Sequence, residues 1–171
     1  MTPRQSRSPP GRTRRRFGDL AQTQCKQEGL RRPETFNFLG LTHFVTRSRR
    51  GRFVVGRKTQ RERLRKKLKE LSVRLDILRT HGGRAMMEYV QQHLRGHFQY
   101  FGVSGNIRGL QRYLYASCRL LFKWLNRRSQ RRSMGWDRFN GVMRQILPRP
   151  RIVHNLYPDL LRKPPTGSRM V

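Results

Sequence analysis

The sequence predicts a mainly α protein: an N-terminal β-hairpin followed by a bundle of three long helices plus a short fourth helix. Three observations carry this expectation. Apolar residues alternate with a period near two only between Thr35 and Val55. From Thr59 to Ile146 they recur at three- and four-residue spacing in four successive segments. The three main apolar stripes hold five or six residues each, enough to close a small bundle between about residues 59 and 147.

Residues 1–16 are mostly Arg, Ser, Pro and Gly, with one apolar residue, Met1. Such a segment buries too little surface to offset its ordering entropy, so a disordered basic tail is expected there. Residues 17–58 form the next region, mixed at first, with weak helical character around Leu20 to Gln27. Phe36, Phe38 and Phe44 then fall on one face of an extended run, and Leu39, Leu41 and Val45 on the other. Both faces are partly apolar, as in a strand packed on two sides. A basic turn, Arg47-Ser48-Arg49-Arg50-Gly51, leads into Phe53-Val54-Val55, giving a hairpin with a five-residue cationic loop.

The helical region is expected over 59–154. Thr59-Gln60-Arg61-Glu62 fits a capping box with Thr59 as N-cap. The first helix then runs to about Thr80 and stops at Gly82-Gly83, with Leu64, Leu68, Leu71, Leu75 and Leu78 in one stripe. The second spans about Arg84 to Tyr100. Met87, Val90, Leu94, Phe98 and Phe101 form its apolar stripe, and Tyr89, His93, His97 and Tyr100 a neighbouring row of polar-tipped rings. Gly102-Val103-Ser104-Gly105 breaks the chain, and Asn106 can cap the next helix. The third helix, about Ile107 to Ser129, carries Ile107, Leu110, Leu114, Cys118, Leu121 and Leu125 on one side. Arg108, Arg112, Arg119, Lys123 and Arg127 lie within about 100° of arc nearly opposite. The last helix carries Trp136, Phe139, Met143 and Ile146 and ends at Pro148-Arg149-Pro150. Residues 155–171 are expected as a loose C-terminal tail.

Charge narrows the function. In 171 residues, 40 Lys plus Arg stand against 9 Asp plus Glu, a net +31, and only 35% of residues are hydrophobic. A compact chain with that excess repels itself unless an anion neutralises it. Seven cations are Lys and 33 are Arg. The Arg fork fits phosphate bidentately and stacks on bases, so nucleic acid is the favoured partner over an anionic membrane. No apolar run approaches the roughly 20 residues of a membrane span. The N-terminus has no apolar core of a secretory signal. Its first 18 residues hold six Arg and no acid, but Pro3, Pro9, Pro10 and Gly11 argue against the amphipathic helix of a transit peptide. Cys25 and Cys118 stand far apart with no C-x-x-C, which suits a reducing compartment, and a cytoplasmic location is expected.

Catalytic chemistry has little to stand on. No two of the nine acids lie within five residues of each other, whereas two-metal phosphoryl transfer needs clustered carboxylates. His93 and His97 have the spacing of a zinc helix, but Leu94 stands where H-E-x-x-H needs Glu, and no third ligand is apparent. Cys118 falls on an apolar stripe as a core residue. No metal and no cofactor is expected. Between Tyr89 and Trp136 there are nine cations and no acid. A solvated helix face normally mixes signs, and like charges at four-residue spacing weaken a helix, so this row points to phosphate. The rings Tyr89, His93, His97, Tyr100, Tyr113 and Tyr115 interleave with it. They suit either stacking on unpaired bases or a boundary role with buried rings and wet tips.

Several motifs stand together in order. Phe36-Asn37-Phe38-Leu39-Gly40-Leu41-Thr42-His43, then Arg49-Arg50-Gly51-Arg52-Phe53 and Arg57-Lys58-Thr59, resemble the palm-to-thumb junction of group II intron reverse transcriptase/maturases. Arg95-Gly96-His97-Phe98-Gln99-Tyr100-Phe101-Gly102-Val103, the stretch Trp124 to Arg131, and Pro148-Arg149-Pro150-Arg151-Ile152-Val153-His154 are similar to that family's maturase-specific thumb, domain X. The resemblance runs from about Phe17 to His154. It implies that 17–58 is a remnant of the reverse transcriptase palm and that 59–154 is a thumb-like bundle.

The resemblance further implies binding to group II intron RNA and assistance to its folding and splicing. The family's Tyr-x-Asp-Asp metal site has no counterpart, since no Asp-Asp occurs in the sequence. A truncated member is expected, without polymerase activity and without a cysteine-pair or H-N-H endonuclease pattern. Leu41 stands where an aromatic is common in the family, and Gly135 where a Ser or Thr cap is expected. The charge pattern and the resemblance together single out Arg95, His97, Tyr100, Arg108, Arg112, Arg119, Lys123, Arg127, Arg128, Arg131 and Arg132 as candidate RNA-binding residues. Two other readings stand beside this one: a structural RNA-binding protein of the ribosomal type, which the pI near 12 suits, and one half of a split reverse transcriptase working with a separately encoded half.

Overall fold

The computed structural model describes residues 35–48, 51, 53–127 and 133–157. The expected basic tail and the whole of 17–33, with its weak helical character, lie outside them. The fold is mainly helical, with a small N-terminal sheet followed by the helices. The sheet has three strands in the order β1-β2-β3: β1 (Phe36–Phe38), β2 (Leu41–Arg47) and β3 (Phe53–Thr59). The sequence led us to expect two. The run from Phe36 folds back at Leu39-Gly40, where φ is 49° and 75°. A two-residue hairpin turn of type I′ needs positive φ at both positions, and leucine is an uncommon residue there, so the turn carried no sequence signal. Phe36 pairs with His43, Asn37 with Thr42 and Phe38 with Leu41. The rings of Phe36 and His43 stack at 4.7 Å, and the Thr42 hydroxyl donates to Asn37 Oδ1 at 2.7 Å.

Two compact units divide the chain. Phe44–Val55 belongs to one. Phe36–His43 and the residues from Gly56 onward belong to the other, which contains the described helices.

Among the described residues four helices succeed the sheet: α1 (Arg61–Leu78), α2 (Gly83–Phe101), α3 (Ile107–Arg127) and α4 (Trp136–Ile146), with a short 3₁₀ turn at Arg79–His81. The capping box expected at Thr59 does not form. Thr59 is the last residue of β3, and Gln60 takes the cap position without a side-chain bond. Thr59 is held instead by buried Asn106: its N–H donates to Asn106 Oδ1 at 2.9 Å, and its Oγ1 accepts from Nδ2 at 2.9 Å. Asn106 Nδ2 also donates to the Phe101 carbonyl at 2.9 Å. The residue expected as a helix cap thus ties the entry of α1 to the end of α2.

The leucine stripe of α1 packs as expected: Leu71 and Leu75 are fully buried, and Leu64, Leu68 and Leu78 lie against the core. On α2 the buried row is Met86, Val90, Leu94, His97, Phe98 and Phe101, so Met86 takes the deep position expected for Met87. On α3 the buried row is Leu110, Tyr113, Ser117, Leu121 and Trp124. The expected Leu114, Cys118 and Leu125 are only half-buried. The shift of about 60° has a physical cause: α3 packs against α1, α2 and α4, so a wide arc is covered, and the large Tyr113 and Trp124 take its deepest part. On α4, Phe139 and Met143 are buried and Ile146 is exposed. The helix ends at Ile146, and extended Leu147 (φ −80°, ψ 145°) turns the next side chain inward in its place. Trp136, Phe139 and Phe122 of α3 form a cluster of rings 5.0 to 5.4 Å apart.

A strap of chain after α4 fastens the α2–α3 connector. Gly102 O accepts from Val153 N at 2.6 Å and from His154 N at 2.8 Å, and Ser104 N donates to His154 O at 3.0 Å. A Cβ at Gly102 would collide with the Phe98 carbonyl and press on Val153, so glycine is required there. Asn155, Leu156 and Tyr157 fall in the segment expected as a loose tail, yet Ser104 Oγ donates to Asn155 Oδ1 at 2.8 Å and accepts from Leu156 N at 3.0 Å.

Candidate nucleic-acid interface

α3 presents its cations outward because its other side is committed to the core. Arg108, Arg112, Arg119, Lys123 and Arg127 are all exposed, and the helix contains no acid. Arg108–Arg112, Arg119–Lys123 and Lys123–Arg127 are like-charge pairs at four-residue spacing. Arg108 also sits in the first turn, at the positive end of the helix dipole. The arrangement is therefore electrostatically unfavourable for the isolated helix and favourable toward an anion.

Rings organise this row. The Arg119 guanidinium lies 5.9 Å from the centroid of exposed Tyr115. Trp124 has three cations within cation–π reach: Arg127 at 5.2 Å, Lys123 at 5.5 Å and Arg79 at 5.9 Å. Its indole N–H donates to Ser72 Oγ of α1 at 3.3 Å. A groove between α1 and α3 brings Lys69 of α1 beside Arg119, Lys123 and Asn126. The cations of α1 were missing from the candidate residues. The signal was legible in principle, since Arg61, Arg63, Arg65, Lys66, Lys67 and Lys69 are all exposed, but three acids on the same helix gave it an ordinary mixed surface.

The remaining candidates separate. Arg95 is exposed on α2. Tyr100 is exposed, and its hydroxyl donates to the Leu39 carbonyl at 3.2 Å. His97 is a core residue, 7% exposed and stacked on fully buried Tyr113. Burial, then the charges of His93 and Lys67, lower its pKa to about 4, so it is neutral at pH 7. His97 therefore offers no surface cation to phosphate. Tyr113, one of the interleaved rings, bonds to a His93 ring nitrogen through its hydroxyl at 2.7 Å. Burial pushes the Tyr113 phenol upward and holds it protonated. Arg128, Arg131 and Arg132 lie outside the described residues.

Among the described residues, no three His, Cys, Asp or Glu side chains stand together as a metal set, and no helix is long and apolar enough to cross a membrane. Cys118 is half-buried, and burial pushes its thiol up to about 11, which disfavours the reactive thiolate. Comparison of the chain with protein-family models, with curated proteins and with solved structures gives no match.

Proposed function

We propose that this chain is an RNA-binding protein of the group II intron maturase kind, which assists intron RNA folding and splicing and performs no polymerase chemistry itself. The observation that carries the reading is the row of five exposed cations on acid-free α3. The ordered motif resemblance from Phe36 to His154 supports the narrower assignment. A phosphate backbone bound along α3 relieves the like-charge repulsion, and the exposed rings Tyr100 and Tyr115 can contact bases or ribose.

The discriminating experiment compares affinity for a structured group II intron RNA with affinity for an unrelated RNA of equal length, at matched salt. The proposal predicts tighter binding to the intron, persisting as salt is raised. Equal affinity for both would remove the maturase assignment and leave general RNA binding. A preference for ribosomal RNA would favour the structural reading.

A further inference from the structure

The cationic face of α3 leaves a second feature unexplained. A cleft of about 600 Å³ opens between the β1–β2 turn, α1 and α2. Its size lies within the roughly 300–1,000 Å³ of clefts that hold small organic groups. Arg63 and Lys67, one turn apart on α1, line it, and Tyr89, His93 and Tyr100 of α2 contribute rings.

Gly96 sits among them, in the interior of a 19-residue helix. Glycine there is destabilising relative to alanine. Packing does not require it, because a Cβ built on Gly96 meets nothing within 4 Å. The absent side chain deepens the cleft and serves no internal contact.

His97 adds an independent observation. It lines the same cleft, is more than nine-tenths buried, and its Nε2 has no hydrogen-bond partner. A buried polar atom left unpaired is costly, and a ligand is one way to satisfy it. Gln92 offers an amide donor and acceptor close by. The cations select for an anion. Lys67 pairs with Glu70 at 3.2 Å, but both groups are about half exposed, so solvent screens the pair and a phosphate can replace it.

We propose that this cleft receives one unpaired nucleotide of bound RNA, its base against the rings of α2 over Gly96 and its phosphate at Arg63 and Lys67. The inference rests on the RNA-binding reading and names a subsite within it. Rings with a cationic edge match a nucleotide, whereas a purely apolar ligand would leave Arg63 and Lys67 without a role.

Gly96→Leu in the full chain fills the cleft while keeping a good helix former. Two probes are used: a short single-stranded oligoribonucleotide carrying a fluorescent purine analogue, and a fully paired RNA duplex. The variant should lose roughly 5- to 150-fold in affinity for the single strand, the span expected from one lost base–ring stack. The quenching of the analogue should disappear, and duplex affinity should not change. A melting temperature at or above wild type shows that the fold is intact. If it falls, Gly96→Ala carries the test with one methyl in open space, and Arg63→Gln with Lys67→Gln removes the phosphate contacts without filling the cleft. Unchanged single-strand affinity in these variants overturns the cleft while Arg112→Gln/Arg119→Gln still weakens both probes. If the wild type binds neither probe, the RNA reading fails as well.

Discussion

The imidazole of His97 lies flat on the phenol of Tyr113, with ring centroids 3.6 Å apart and planes 13° from parallel. This contact joins α2 to α3 and makes a titratable group part of the core. The ring belongs there only while neutral. Its pKa is 6.5 unfolded and about 4 folded, so the unfolded chain binds the proton first and stability falls as pH drops through that window. The loss should be on the order of 2–3 kcal/mol, and the lowered pKa values of His43 and His93 act in the same direction. His97→Phe keeps a stacked ring and removes the proton site. Urea midpoints from neutral pH to about pH 4 should show a flatter profile for the variant; an identical pH dependence would place the acid sensitivity elsewhere.

Asn106 is the second internal anchor. Its side chain is 1% exposed and serves Thr59 and the Phe101 carbonyl together. Asn106→Ala should cost roughly 2–4 kcal/mol, because the half-buried Thr59 N–H and the buried Phe101 C=O lose their partners at once. Asn106→Asp should be nearly as harmful, since a carboxylate cannot donate to Phe101 O. Denaturant unfolding would decide this, and a loss within experimental error of zero for either variant would contradict the anchor.

α4 is fastened to α3 by the rings Phe122, Trp136 and Phe139, with the Asn126–Met134 bonds at its entry. Phe139→Ala removes a fully buried ring, so a loss of about 3–5 kcal/mol is expected. Hydrogen exchange should show amides of 136–147 losing protection before those of α1 and α2. Uniform loss across all four helices would mean that α4 is not a separate cooperative layer.

The β1 edge is an association hazard. Phe38 at the end of β1 is 59% exposed and Leu39 in the turn 64%. The protein without RNA should self-associate, and Phe38→Lys should reduce this in light scattering. A sharp monomer peak for the wild type without nucleic acid would count against it.

Helix positions were legible in the sequence because five- and six-residue apolar stripes with glycine breaks leave few alternatives. The details that failed were those set by partners distant in the chain. Thr59 scored as a cap from its neighbours, but Asn106 claims it from 47 positions away. The buried face of α3 depends on three packing helices, and a single-helix projection cannot weigh Tyr113 against Leu114. His97 stood in a row of polar-tipped rings, and only the Tyr113 stack sends it inward. For the candidate site, the cations of α3 were legible from spacing alone. The cleft over Gly96 was not, because it exists only where α1, α2 and the unforeseen Leu39-Gly40 turn meet.

The proposed function depends above all on phosphate meeting the exposed face of α3. Arg112 and Arg119 point away from the core, so changing both to Gln leaves packing intact, keeps good helix propensity and relieves like-charge repulsion. The most direct measurement is the salt dependence of RNA affinity for wild type and Arg112→Gln/Arg119→Gln. Each lost phosphate contact should lower the log–log slope by roughly 0.7–0.9, so the double variant should bind more weakly and with a slope shallower by about one to two. Its melting temperature without RNA should equal or exceed that of the wild type. Weaker binding with an unaltered slope, or unaltered binding altogether, would contradict the assignment of this face to phosphate.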